Sequence, residues 1–360
     1  MSKLRVAIIG YGRSGRNIHR HLLSQLHDLF EIVAYVDKDQ QRQEMIKAEN
    51  NCVPLSDYTE LYGRTDIDFV INASFSHDHA PISIELLKHG FNVLSEKPAA
   101  GSADKFKEIM QTSKDTGKAY YIFQQYRFAP SFVKVKEIIG SGVLGRIVQI
   151  NLNYSNFIRR WDWQTIQGFT AGSLLNTGPH PVDQALDLMG FPDDINVTCA
   201  MDRAHTYGDA EDYVKLILRA TGSPVLDIEI SSCNGFSDYT YLVQGTRGTL
   251  KGTTKQLDWK YYIDSEEEAR VLIKEPLRNE KGEPIYCSEK LTFHTDKWIA
   301  EGDEANDFDF KGLKFYKEFY DCMKGGKPFP ITQEQVLKQM RIMEESHRQN
   351  EKTINRFITV

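Results

Sequence analysis

The sequence predicts an α/β unit with a doubly wound parallel sheet, followed by a second unit built on a mainly antiparallel sheet. Three observations carry this. Over the first 125 residues, short apolar runs alternate with stretches of helical spacing, the order that a parallel sheet with crossover helices demands. The first apolar run ends directly in Gly10-x-Gly12-x-x-Gly15. After residue 124 the apolar runs are closely spaced and separated by turns, some with period two, which implies antiparallel pairing.

In chain order, 5–9 is a buried strand and the helix after Gly15 begins near Arg16. Gly10 permits the tight turn between them. Gly12 lets the backbone approach a pyrophosphate seated on the helix N-terminus, and Gly15 permits close packing of helix on strand. Tyr11, Arg13 and Ser14 complete this expected dinucleotide loop. The next strand, 31–36, ends in Asp37, 22 residues after Gly15 (37 − 15). A carboxylate there accepts the ribose hydroxyls of NAD and repels a 2′-phosphate, so NAD is expected over NADP. Residues 40–48 form a helix, and 68–73 a strand ending in the polar turn Ser74-Phe75-Ser76-His77-Asp78-His79, expected to line the cofactor cleft. His77-x-His79 has no third ligand nearby, so no metal is expected.

After a helix over 80–89, the strand 91–95 runs into Glu96-Lys97-Pro98. Pro98 has no amide hydrogen to continue a ladder. It also pushes Lys97 into extended backbone. Lys97 is therefore expected at the carboxyl end of a strand, where open α/β sheets bind ligands. A helix over 103–116 and a strand over 119–123 close the unit.

In the second unit, strands are expected at 147–154, 214–219, 225–231, 239–244, 248–253 and 259–263. Helices are expected at 132–139, 310–324 and 332–350, and the charged stretch 264–284 reads as a solvated excursion. A further helix begins near Pro181, with Val182, Ala185, Leu186 and Met189 at helical spacing. His180 is then in the tight turn at its N-terminus. The positive end of the helix dipole lowers a histidine pKa. A neutral imidazole near pH 7 suits a general base.

Composition excludes several classes. The chain has 360 residues, enough for two cores, with 41% hydrophobic and 26% charged residues. A net charge of −6 offers no basic footprint for nucleic acid. No apolar run approaches the roughly 18 residues of a membrane span. The start reads as a first strand rather than a signal peptide. Five scattered cysteines without CxxC spacing read as reduced thiols in a cytoplasmic protein.

Taken together, Gly10-x-Gly12-x-x-Gly15, Glu96-Lys97-Pro98, Gly178-x-His180-x-x-Asp183, Gln244-Gly245-Thr246-Arg247-Gly248 and Gly326-Lys327-Pro328 followed by Ile331-Thr332 resemble the Gfo/Idh/MocA family of NAD(P)-dependent sugar and cyclitol oxidoreductases. The resemblance implies a Rossmann domain over 1–125. It implies a substrate and oligomerisation domain over 126–360 with a large open sheet, whose flat face makes dimers or tetramers. The last helix is implied to pack back on the first domain. Lys97 resembles the family's catalytic lysine and His180 its catalytic histidine. Asn176 stands where many members carry an aspartate. Phe75 replaces a common proline, and Gln125-Tyr126-Arg127 replaces a commoner Asn-Arg-Arg. Arg127, Tyr154, Trp163 and Gln164 align with positions lining the substrate pocket in relatives. Ser74, Phe75, His79 and Glu96 fall on the cofactor side.

The expected chemistry is hydride transfer between a ring secondary alcohol of a sugar, glycoside or inositol and nicotinamide. His180 takes the hydroxyl proton and cationic Lys97 stabilises the alkoxide. Aromatic residues around Trp163 suit a glycoside with a bulky aglycone, oxidised at a carbon such as C3. Two rivals are a redox-neutral glycoside-cleaving enzyme with bound NAD, and a dinucleotide-binding sensor without activity.

Overall fold

A computed structural model describes residues 2–50 and 52–354. The first sheet has five strands, β1 (Leu4–Ile9), β2 (Phe30–Val36), β3 (Phe69–Asn72), β4 (Val93–Ser95) and β5 (Tyr120–Ile122), in the order β2-β1-β3-β4-β5. Every neighbouring pair is parallel. Leu55 adds a parallel bridge to Val36 beyond β2. The chain thus runs outward from β1 and returns to its other side at β3. The strand order reverses there, and a crevice opens at the carboxyl ends of β1 and β3.

Among the described residues, four helices of more than one turn belong to this unit. Helix α1 covers residues 13–25, loosely π-wound over Arg13–Arg20 and α-helical over His21–Gln25. It is followed by α2 (Gln40–Asn50), α3 (His79–Lys88) and α4 (Ala103–Thr116). In α4 the Ser102 hydroxyl accepts the Lys105 amide, and Gly117 ends the helix at φ 65°.

The second sheet has eight strands: β6 (Ile147–Asn153), β7 (Asn196–Asp202), β8 (Tyr213–Arg219), β9 (Val225–Ser231), β10 (Tyr241–Gly245), β11 (Gly248–Gly252), β12 (Gln256–Tyr261) and β13 (His294–Ile299). Their order is β13-β12-β11-β10-β6-β9-β8-β7. Helices α5 (Pro130–Gly140), α6 (Ser173–Asn176), α7 (Pro179–Met189), α8 (Asp307–Gly325) and α9 (Gln333–Ile354) accompany it. Alternation sends Leu216, Leu218, Leu226 and Ile228 into the core. The opposite face is polar, with Lys215 bridging Asp227 at 2.6 Å and Glu229 at 3.5 Å.

The structure departs from the sequence expectation in several places. Strands β7 and β13 were not expected. Both are sheet edges with most side chains exposed or half-buried, so their apolar signal is weak. Strand β12 begins three residues earlier than the pattern indicates. Pairing between β6 and β9 is parallel, which close strand spacing does not reveal. Helix α7 starts at Pro179, so His180 lies inside its first turn rather than ahead of it. Proline is tolerated there because first-turn amides have no intrahelical partner.

Helices α8 and α9 return to the first sheet. Tyr316 and Tyr320 meet Phe30 edge-on, and Phe319 meets Phe69 at 4.9 Å. Gly312 makes this approach possible, because a Cβ there would stand 2.4 Å from Leu22 Cδ1 on α1. Phe315, Tyr316 and Phe319 are fully buried, and burying each ring contributes about 1.5–3 kcal/mol. Gln333 of α9 donates to Ser113 Oγ at 3.3 Å and to Tyr120 O at 3.2 Å.

Arg127 corrects an expectation about the substrate pocket. Its Nε donates to Asp183 at 2.9 Å and its Nη2 makes a second, very short bond to the same carboxylate. Its Nη1 donates to Pro330 O at 2.9 Å and Gln335 Oε1 at 2.7 Å. Every donor-bearing nitrogen of the guanidinium is used, so Arg127 ties the turn Gln125–Phe128 to α7 and to the entry of α9 instead of facing a ligand. Arg127→Ala leaves a buried carboxylate unpaired. It is expected to lower unfolding free energy by about 3–5 kcal/mol, read from denaturant midpoints, with NADH binding retained at low temperature.

Candidate active site

One cavity of about 1020 Å³ runs between the two sheets. Gly10, Gly12, Asp37 and Arg42 line it on the side of β1 and β2, and Lys97, Tyr154 and His180 on the side of the second sheet.

On the β1 side, the glycines are required by space. A Cβ on Gly10 would stand 2.3 Å from Ala73 O, and one on Gly15 would stand 1.7 Å from Gly10 O. Gly12 leaves its face of the loop open to the cavity, with the Arg42 guanidinium lying 3.7–3.8 Å from where a Cβ would be. Asp37 is buried. Its Oδ2 accepts the Tyr11 amide at 2.7 Å and its Oδ1 the Asp39 amide at 2.9 Å. Arg42 Nη1 is 3.4 Å from Oδ2. This cradle of backbone, helix start and fixed carboxylate fits a dinucleotide.

Arg13, Ser14, Ser74, Phe75 and Glu96 also line the cavity. Tyr11, Gly15 and His79, expected as cofactor contacts, do not. They are buried supports. The Tyr11 hydroxyl donates to Glu49 at 2.7 Å. The His79 ring bonds Pro98 O at 2.8 Å and Ser74 O at 3.2 Å, which joins the turn after β3 to the turn after β4.

Lys97 leaves the end of β4 and crosses to the second unit. Its Nζ donates to Asn176 O at 2.7 Å and lies 3.4 Å from Asn176 Oδ1. Gln164 Nε2 reaches the same Oδ1 at 3.3 Å. Burial pushes the Lys97 pKa down, Glu96 opposes this, and Arg13 and Arg160 add to it; the net is downward. Glu96 Oε2 accepts the Lys97 amide at 3.1 Å. Its Oε1 is 3.2 Å from His19 Nε2, and His19 Nδ1 is 2.6 Å from the Tyr316 hydroxyl. Burial pushes the Glu96 pKa up, but His19, Lys97 and His79 outweigh it and hold the carboxylate low.

His180 is buried and its ring stacks on Tyr126 at 3.9 Å and 23°. Its Nδ1 has no hydrogen-bond partner among the described residues. Its pKa is held well below the usual range by burial, then by Lys97 and Lys311. The direction is the one expected from the sequence, and burial and the two ammonium groups are its causes. The Tyr154 hydroxyl donates to Gln184 at 2.8 Å. Gln125 is buried with Oε1 unpaired among the described residues, and Trp163 meets Phe75 edge-on at 4.9 Å.

Tyr126 and Lys311 also line the cavity, yet were not assigned from sequence. Lys311 lies 131 residues after His180 (311 − 180). The only local signal, Asp307 and Lys311 at i,i+4, reads as an exposed helix pair. Among the described residues no three His, Cys, Asp or Glu side chains gather to hold a metal, and no helix is long and apolar enough to cross a membrane.

Comparison with known proteins gives the lineage. The N-terminal model of the Gfo/Idh/MocA oxidoreductases, described as an NAD-binding Rossmann fold, matches residues 4–124. Their C-terminal alpha/beta domain matches residues 136–353. The scyllo-inositol 2-dehydrogenase (NADP(+)) of Bacillus subtilis is 24% identical over 352 residues, covering 95% of this chain and 92% of its own. The D-glucoside 3-dehydrogenase of Escherichia coli is 30% identical over 200 residues, covering 53% and 55%. The solved structure of the yvaA oxidoreductase from Bacillus subtilis superposes with a TM-score of 0.78 at 18% identity, covering 98% of this chain and 97% of that one. With both family domains matched in order across most of its length, the chain belongs to the Gfo/Idh/MocA family of oxidoreductases, and its N-terminal unit is the family's NAD-binding Rossmann fold.

Proposed function

We propose that this protein is an NAD-dependent dehydrogenase that moves a hydride between a ring secondary alcohol of a sugar, glycoside or inositol and nicotinamide. The observation that carries this reading is the pairing of Lys97 and His180 on one cavity, the ammonium held by Asn176 O at 2.7 Å and the imidazole carrying an unpartnered Nδ1. Bound NAD supplies the hydride acceptor. Lys97 donates a hydrogen bond to the substrate oxygen and stabilises its developing negative charge. His180, kept neutral by burial and by the neighbouring cations, receives the hydroxyl proton. Asn176 orients Lys97 through neutral groups, so the ammonium keeps its full charge for the alkoxide. Gln125, Tyr154 and Gln164 present polar atoms to the ring hydroxyls.

The names of the inositol and glucoside dehydrogenase relatives support a cyclitol or glucoside as substrate, with oxidation at C3 for a glucoside. The edge-on pair Phe75 and Trp163 on the cavity wall suits the apolar part of an aglycone. The domain boundary falls between residues 125 and 126. The polar face of the second sheet is the surface for a dimer or tetramer. The free cysteines suit a cytoplasmic location.

NADH absorbance with inositols, free aldoses, sugar acids and aryl glucosides tests the reading. Turnover of one class is expected, falling by about 10²–10⁴-fold in His180→Ala and in Lys97→Ala, while NADH titration by fluorescence still shows binding. Near-full turnover in either variant removes that residue from the mechanism. Bound NAD that copurifies, with bond cleavage and no net NADH, would replace the dehydrogenase by a redox-neutral enzyme. Trp163→Ala is expected to narrow the kcat/KM advantage of aryl glucosides over free sugars; an unchanged ratio would remove the aglycone contact.

A further inference from the structure

Lys311 lies on α8, is 3% exposed, and lines the same cavity as His180. Two groups hold its ammonium. It ion-pairs with Asp307 one turn earlier on the helix. It also stands 4.1 Å from the centre of the Tyr126 ring, the ring that stacks on His180. A buried ammonium carries a desolvation penalty that an apolar side chain of the same length would avoid. The packing of α8 on the first sheet is made by Gly312, Tyr316 and Phe319 and does not require this charge. Lys311 reaches His180 only through Tyr126 and through its field.

We propose that Lys311, with Asp307 and Tyr126, is a positioning unit for His180: the ring fixes the plane of the imidazole, and the ammonium keeps a second positive charge beside it. This inference takes its catalytic meaning from the dehydrogenase reading above, but its physical content is independent of turnover. The charged and titratable groups around His180 are Lys97 from the end of β4, Lys311 with its ion-pair partner Asp307 on α8, and the Tyr126 phenol, while neutral Asn176 from α6 holds Lys97. On its own helix, Asp183 is neutralised by Arg127. Both ammonium groups hold the imidazole pKa down, and a cation disfavours a second cation beside it. Removing Lys311 therefore favours the imidazolium and moves the His180 titration to higher pH.

The test compares Lys311→Met, Lys311→Arg and the double variant Lys311→Met/Asp307→Asn, which leaves no unpaired carboxylate. With ring-¹³C histidine, the His180 signal is the one missing in His180→Ala, and its titration needs no substrate. The midpoint is expected to rise in Lys311→Met and in the double variant, and to return to the wild-type position in Lys311→Arg. The acid limb of kcat/KM is expected to move the same way, to higher pH. A fall in Tm with an unmoved His180 titration would overturn the proposal and leave Lys311 a structural residue. If Lys311→Met fails to fold, an unmoved midpoint in the double variant overturns it equally. A shifted midpoint in a protein that turns over no substrate upholds the coupling and defeats the dehydrogenase reading instead.

Discussion

Lys97 reaches across the cleft to the carbonyl of Asn176, and much of the surrounding structure serves that 2.7 Å contact. From one side, β4 ends at Ser95 and Glu96 clamps the Lys97 amide, with His19 and Tyr316 backing the carboxylate. From the other side, Glu211 holds the start of α6. Its Oε1 accepts the Leu174 amide at 2.9 Å and its backbone carbonyl accepts the Ser173 amide at 2.9 Å. Gly172 just before them has φ 105°, and any Cβ there would meet the Glu211 carboxylate at 2.4 Å. Two buried carboxylates on different units thus set the two ends of one bond.

Charge is distributed unevenly along the cavity. On the nucleotide side Asp37 is satisfied by backbone amides, with Arg42 beside it. On the substrate side Lys97 is held by amide groups, and Arg160 is paired with Asp162. A carboxylate at position 176 would neutralise Lys97, whereas an amide orients it and leaves the positive potential in place. Burial keeps His180 uncharged, and that potential adds to it.

Most of the architecture was legible in the sequence because it rests on local signals. The glycine loop, the acid after β2 and the proline after Lys97 are each imposed by backbone geometry within a few residues. Gly10, Gly12 and Gly15 are where they are because a Cβ would collide or fill the cradle. The edges of the second sheet were less legible, since β7 and β13 bury few side chains and so carry little alternation. Arg127 was misjudged because spacing cannot tell a guanidinium facing a ligand from one consumed by Asp183, Pro330 and Gln335. The supporting bonds of Tyr11 to Glu49 and of His79 to Pro98 were likewise not legible, as these partners lie 38 and 19 residues away (49 − 11 and 98 − 79). Lys311 was invisible as a site residue because only the return of α8 to the first sheet brings it to His180.

That return has a consequence for how the chain is made. Phe123 is in place at the end of β5, but Phe315 packs against it at 4.7 Å and is encoded 192 residues later (315 − 123). At about 5–20 residues per second of synthesis, the nascent Rossmann sheet waits roughly 10–40 s with Phe30, Phe69 and Phe123 uncovered. The cofactor-binding unit is therefore synthesised well before the helix that completes its core.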